Sequence, residues 1–445
     1  MDVKDAILLP VSVLVVLAIG FIARHLLYRN NEPYSRYFMG GLLLKVLGAV
    51  AFCAIYRFYY GGGDTTVYFD HASFLYNQFF EQPGRVWEVW RATAGTVTMQ
   101  TAHITEKMPF YGNESTFMVI RIAALIGLFT GNSFWVTSVL FAAISFTGAW
   151  AMYRVFVDWY PDLYRPFAFA VFALPSVVFW GSGLLKDTIA LGSLGWLLYG
   201  LHQIFIRKQN YIVSALLILI SLYFIGMLKA YIIFGFAPAV LFWVVSSHLG
   251  FLREAKLRGF IVIICLVIIG NYIYWKGDSL QSIVDVLFAK FVKMSIGFQS
   301  WHGFLTEQRG QSGYSLGVME FTPWGILKKF PASINVTLFR PYLFEARNPV
   351  SMITALESTF MLLFTIYVLV KTGIGRTFRI IFSRPEIAMC FIFVMLFGFA
   401  VGFSSFNFGA LARYKIPCLP FYVAMLFMVL HCGKEEVIKG SLRNG

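Results

Sequence analysis

Apolar runs long enough to cross a bilayer recur along this chain, separated by short stretches rich in Arg and Lys. About 20 such residues span the hydrocarbon core as a helix. The runs fall at 6–28, 38–59, 134–157, 166–183, 188–206, 211–228, 231–248, 259–275, 352–371, 387–404 and 414–432, predicting eleven membrane helices. A further segment, 115–130, is short and carries Arg121 near its middle. An arginine at the bilayer centre costs at least about 2.5 kcal/mol, so 115–130 is expected to lie in the interface. The expected fold class is all-α, a polytopic bundle forming a single integral-membrane domain over 1–445.

Charge placement supports that reading and orients it. With 115–130 outside the bilayer, seventeen basic residues gather on one face, among them Arg24, Arg36, Arg154, Arg165, Arg207, Arg376 and Arg379. The short segments of the other face hold only Lys4, Lys186, Lys229, Arg413 and Lys415. Cytoplasmic loops carry the excess of Lys and Arg. The N-terminus is therefore expected outside and the C-terminus in the cytoplasm. Residues Met1–Asp5 lack the basic start of a cleaved leader, so the first run reads as a retained helix.

Composition closes off other classes. The chain is 58% hydrophobic and only 13% charged, with mean hydropathy +0.70, where a soluble domain carries about 25% charged residues. The net charge of +14 would suit nucleic acid, but the basic residues are scattered between apolar spans, so no nucleic-acid partner is expected. They read as topology determinants beside anionic membrane lipids. The five cysteines lie in or beside apolar runs without CxxC spacing and read as reduced, buried small hydrophobes.

Two long outer loops stand out. Loop 60–133 mixes Phe69, Phe74, Leu75 and Phe79 with Asp70, His71, Asn77 and Gln78, then adds Trp87 and Trp90; it is expected to form amphipathic interfacial helices. Loop 276–351 begins amphipathic at Ile283–Phe291, turns polar and Gly-rich at 300–317 and is expected to be partly mobile. No matched pair of interrupted helices, the mark of an inverted-repeat transporter, is evident.

Four constellations carry candidate chemistry. After Gly61-Gly62-Gly63, Asp64 opens a helix with Thr65, Thr66 and Tyr68. It reads either as an N-cap or as a general base or metal ligand, with Tyr68, Asp70 and His71 near the same pocket; His71 alone reads as a surface or interfacial residue. Lys186-Asp187 follows the glycine-broken stretch Pro175–Gly183. The plain reading is a hairpin with Asp187 favoured by a helix dipole and Lys186 snorkelling. The functional one puts Lys186 on a phosphate and Asp187 on a sugar hydroxyl, a metal or Lys186 itself. Arg413-Tyr414 opens the final run against the charge trend, and the Arg fork suits a phosphate; Lys229 is a weaker partner for the same anion. Finally Arg340, Glu345 and Arg347, with Glu357 in the following span, form either a network that docks the loop or a direct substrate contact.

In order along the chain, these motifs resemble the GT-C superfamily of integral-membrane glycosyltransferases, in particular bacterial relatives of the dolichyl-phosphate-mannose protein mannosyltransferases. The resemblance rests on Gly63-Asp64-Thr65-Thr66-Val67-Tyr68, on Leu128–Ser133, on the hairpin Pro175–Asp187 and on Arg413-Tyr414-x-x-Pro417-x-x-Pro420. It implies transfer from a polyprenyl-phosphate-linked sugar to a glycan, lipid or protein acceptor at the outer face of a bacterial inner (plasma) membrane. The acid would deprotonate the acceptor, the cations would hold the departing lipid phosphate, and the anomeric centre would invert. The chain departs from the family pattern in two ways. One extra span precedes the acidic loop, and the loop motif has one acid instead of an adjacent pair, so no metal site is assigned. A polysaccharide polymerase or O-antigen-ligase-like enzyme is the alternative, resting more on Arg340 and Arg347. A transporter or lipid-linked-sugar flippase would use charges inside the membrane, for which Lys45 and Glu357 are the candidates.

Overall fold

The computed structural model describes residues 3–28, 32–248 and 312–441, together with positions 292, 293, 296, 297 and 300. The run 259–275 and the amphipathic start of loop 276–351 lie outside the described residues, as does most of the polar stretch 300–317. Among the described residues the protein is all-helical, with one isolated bridge between Gly313 and Asn407. Eight helices are long and apolar enough to cross a membrane, or nine if a bent pair counts as one span. This is a polytopic helical membrane protein. The chain, read from sequence as one domain, forms two compact units, Met1–Ile233 and Phe234–Gly445.

The first unit comprises α1 (Val3–Leu27), α2 (Tyr37–Ala54), α3 (Asp64–Glu81), α4 (Pro83–Arg91), α5 (Ala102–Thr105), α6 (Glu114–Thr130), α7 (Phe134–Trp159), α8 (Tyr164–Ala168), α9 (Pro175–Trp180), α10 (Lys186–His202) and α11 (Tyr211–Lys229). Helix α7 is its axis: 78% of its most apolar window is buried, against 11% for α1, whose apolar surface is left for lipid. Helices α7 and α10 approach so closely that a Cβ on Gly148 would lie 1.8 Å from Gly192 O, and one on Gly195 2.0 Å from Gly148 O. Small residues let membrane helices pack on their backbones.

Side-chain contacts fix the direction of each helix. Lys4 donates to Gly131 O, and Ser133 Oγ donates to Asp5 at 2.6 Å, so α1 and α7 start at one end. At the other, Trp150 Nε1 donates to the Tyr28 hydroxyl at 2.6 Å. Helix α10 runs parallel to α7, pairing Trp196 with Thr147 at 3.0 Å and His202 with Asp158 at 2.5 Å. Helix α11 returns, bringing Lys229 to Asp187 at the start of α10. Both ends of α6 meet the end where α1, α7 and α10 begin: Ser115 and Thr116 bond Lys186, and Gly131 bonds Lys4. The amphipathic helices foreseen for 60–133 are thus α3 to α6, gathered at that rim.

The run 166–183, foreseen as one span, is interrupted. It is α8, a wide turn at 169–173, an extended Leu174 (φ −66°, ψ 123°) and α9, followed by the turn 181–185. Pro175 is the reason: its ring disfavours helical backbone at the preceding residue, and it lacks an N–H. Fully buried Lys45 donates to Gly181 O at 2.7 Å, and to Val177 O at 3.4 Å, giving a further donor to buried carbonyls at the end of α9 and its cap.

The second unit takes up α12 (Tyr231–His248) from Phe234, then α13 (Pro323–Lys328), α14 (Phe330–Phe339), α15 (Pro349–Thr372), α16 (Ile374–Ser383), α17 (Pro385–Ser404), α18 (Phe408–Tyr414) and α19 (Leu419–Ser441). Thr337 Oγ1 donates to Gly398 O at 2.6 Å, binding α14 to α17, where a Cβ on Gly402 would reach Ser333 O at 2.1 Å. The final run also differs from expectation. Arg413-Tyr414 does not open it; these are the last residues of α18, and the chain bends by 65° before α19. Asn407 caps α18 through the Ala410 amide at 3.0 Å. Among the described residues, each unit therefore contains an interrupted helix, at positions where the hydropathy pattern ran on unbroken.

Candidate functional site

The first unit's candidate site begins at the three glycines after α2. Gly61, Gly62 and Gly63 take φ of +68°, +144° and +150°, backbone that L side chains rarely adopt. They turn the chain into α3. Gly63 is the N-cap and Asp64 the first helical residue, which corrects the expectation of an Asp64 cap. Capping falls to Thr66, whose hydroxyl accepts from Gly63 N at 2.9 Å and donates to Gly63 O at 2.8 Å. Asp64 is exposed at the positive end of the α3 dipole, and Asp70 is exposed further along.

Asp64, Tyr68 and His71 follow i, i+4, i+7 spacing and share one stripe of α3. Tyr68 is buried, and its ring lies 5.8 Å from Lys186 Nζ. Lys186 opens α10 half-buried and donates to Ser115 Oγ and Thr116 Oγ1, each at 2.8 Å. Its neighbour Asp187 binds Lys229, with side-chain exposures of 0% and 5%. Lys229 Nζ also lies 5.6 Å from the Tyr231 ring. Lys186, Asp187, Lys229 and Tyr68 are therefore brought together at one rim, with one cation committed to the buried acid and the other held by hydroxyls.

His71 departs from the expectation of a surface residue. It is 9% exposed, its ring lies 6.1 Å from Phe110, and its Nδ1 has no hydrogen-bond partner among the described residues. Burial lowers its basicity while the Asp70 carboxylate works the other way; the net shift is downward. Sequence reasoning put it near the Asp64 pocket but not in a buried position, because a single His among aromatics gives no periodic signal. Its place two turns from Asp64 on one stripe was the available clue.

At the opposite end of this unit a cavity of about 730 Å³ is lined by Glu32, Tyr34, Arg154, Asp158, Tyr199 and Arg207, among others. Its Arg207 and His202 both bind Asp158, so its charges largely answer one another.

In the second unit, Arg340 forms a forked ion pair with Glu345, its Nε donating to Oε2 at 3.0 Å. The guanidinium lies 5.2–5.7 Å from the rings of Phe408, Tyr314 and Tyr342. Burial would raise the Glu345 carboxyl, but bonds from Arg340 and the Tyr342 amide, with the Arg340 charge, hold it below the usual carboxylate range. Fully buried Lys415 donates to Ser358 Oγ at 3.0 Å and Arg340 O at 3.3 Å, and Glu357 is buried. These contacts tie the loop to the helix that follows it. Arg347 is exposed, and Arg413 and Tyr414 are half-buried.

Among the described residues no group of three or more His, Cys, Asp or Glu is placed to hold a metal. The four described cysteines, Cys53, Cys390, Cys418 and Cys432, are buried thiols. Compared with known proteins, the chain matches no family model, no curated protein and no solved structure.

Proposed function

We propose that the protein is an integral-membrane glycosyltransferase that moves a sugar from a polyprenyl-phosphate donor to an acceptor hydroxyl. The observation that carries this reading is Lys186. Its ammonium stands at the first turn of α10, where free amides and the helix dipole favour an anion, and Leu185 supplies no side-chain cap there. Ser115 and Thr116 bond it at the rim beside the Tyr68 ring, and Asp187 with Lys229 adds a buried ion pair at the same helix start.

Asp64 takes the proton from the acceptor hydroxyl. The acceptor oxygen bonds to the anomeric carbon as the carbon–oxygen bond to phosphate breaks, and the lipid phosphate departs toward Lys186. In the second unit, Arg347 is exposed and Arg413 half-buried, and Arg340 serves its own loop. In this reading eleven spans cross a bacterial inner membrane, the N-terminus lies outside and α6 lies along the outer interface. The resemblance to GT-C enzymes supports the reaction class.

The test is turnover of a decaprenyl-phosphoryl hexose by purified wild type and Asp64→Asn. The variant should bind lipid phosphate and fail to transfer; full transfer would remove Asp64 as base.

A second reading draws on a specific observation. Interrupted helices in both units, one stabilised by buried Lys45, are features of transporters. Movement of a lipid-linked sugar across vesicles without hydrolysis or transfer would favour it.

A further inference from the structure

Buried polar side chains in native proteins almost always have hydrogen-bond partners, and each exception calls for an explanation such as a ligand or a catalytic role. His71 is such an exception at the proposed site. Its side chain is nine-tenths buried, yet Nδ1 meets no partner among the described residues. An imidazole tolerated there for packing alone is replaceable by a hydrocarbon of similar size, with a gain in stability.

Its surroundings point to a ligand class. His71 lies one turn beyond Tyr68 on the α3 stripe, about 4.5 Å further along the helix axis, which is comparable to one pyranose ring. Phe110 stands beside it, 6.1 Å between centroids. Tyr68 leads back to Lys186, 5.8 Å from its ring. An aromatic face next to an unsatisfied imidazole nitrogen suits a hydroxylated ring, which offers C–H groups to the aromatic and O–H donors to the nitrogen. Burial keeps the imidazole neutral, and a neutral imidazole can present one nitrogen as an acceptor.

We propose that His71 Nδ1 accepts a hydrogen bond from a hydroxyl of the sugar whose phosphate lies at Lys186, so that the stripe Tyr68–His71 with Phe110 forms the sugar subsite. The inference rests on the glycosyltransferase reading and adds a sugar-reading residue to it. His71 is a binding residue here; the proton of the transfer step still goes to Asp64.

The experiment compares decaprenyl phosphate with decaprenyl-phosphoryl glucose, galactose and mannose, binding each to purified full-length wild type, His71→Leu and His71→Asn. Leucine fills the space without a polar atom; asparagine restores an acceptor near the Nδ1 position. His71→Leu should lose about tenfold or more in affinity for at least one sugar-loaded lipid, the scale of one hydrogen bond with its desolvation. Its affinity for bare decaprenyl phosphate should be unchanged and its melting temperature equal or higher. His71→Asn should recover most of the loss. Equal weakening toward loaded and bare lipid, or no weakening, would overturn the subsite, as would a fall in melting temperature without a change in affinity per folded molecule. Wild-type binding of bare lipid phosphate with no preference for any loaded form would overturn the subsite and leave the phosphate site standing. Binding of neither would overturn both.

Discussion

Replacing Lys229 by Met would remove the ammonium that Asp187 binds. Both side chains are out of solvent, 5% and 0% exposed, so the regime is that of a buried pair. Removing one member of such a pair costs about 3–5 kcal/mol, because the remaining charge has lost its counterion. An exposed pair would lose only about 0–1 kcal/mol. At about 1.4 kcal/mol per tenfold, the expected loss lowers the folded-to-unfolded ratio by at least about a hundredfold. Unfolding in mixed micelles, titrated with denaturing detergent, reads that loss directly. Asp187→Asn combined with Lys229→Met should recover much of it, since a pair replaced by neutral groups leaves no orphaned charge. A single-variant loss under about 1 kcal/mol, with the double variant simply additive, would refute a buried, mutually dependent pair.

Other consequences can be measured independently. Thr66→Ala should cost about 1 kcal/mol, the scale of a lost helix cap, whereas Asp64→Ala should stay within about 0.5 kcal/mol as a surface change; the reverse order would return the cap to Asp64. Glu345 has a lowered pKa in the folded state, so its stabilisation is full above the usual carboxylate range and lost as pH falls through the lowered value. The stability gap between wild type and Glu345→Gln should therefore close on acidification; a gap that widens in acid would contradict the Arg340 pairing. Single cysteines in 60–133 and at 207–210 should label from opposite sides of the membrane, and labelling of both from one side would mean that α6 spans.

The polytopic helical character was legible because burial in lipid writes itself as length and apolarity. Which elements meet was not: both ends of α6 lie with the starts of α1, α7 and α10. What the pattern concealed depended on tertiary proximity. The Asp187–Lys229 pair joins residues far apart in sequence, and only the antiparallel return of α11 brings Lys229 to the start of α10. Arg340 and Glu345, five residues apart across a tight loop, were within reach of sequence reasoning. The interruption at Leu174 was signalled by Pro175, yet an apolar run hides its own break. The burial of His71, which read as a surface or interfacial residue, was hidden because burial of a lone polar residue depends on what folds over it, here the segment carrying Phe110.

The central claim is that Lys186 holds the phosphate of a lipid-linked sugar. The most direct measurement is the affinity of purified protein for decaprenyl phosphate in wild type, Lys186→Arg and Lys186→Met, read by native mass spectrometry with folding checked on each. A charge-assisted hydrogen bond contributes about 1.5–3 kcal/mol, so Lys186→Met should bind roughly tenfold to a hundredfold more weakly, with Lys186→Arg between the two. Equal affinity in all three folded proteins would contradict the phosphate site and, with it, the glycosyltransferase reading of this rim.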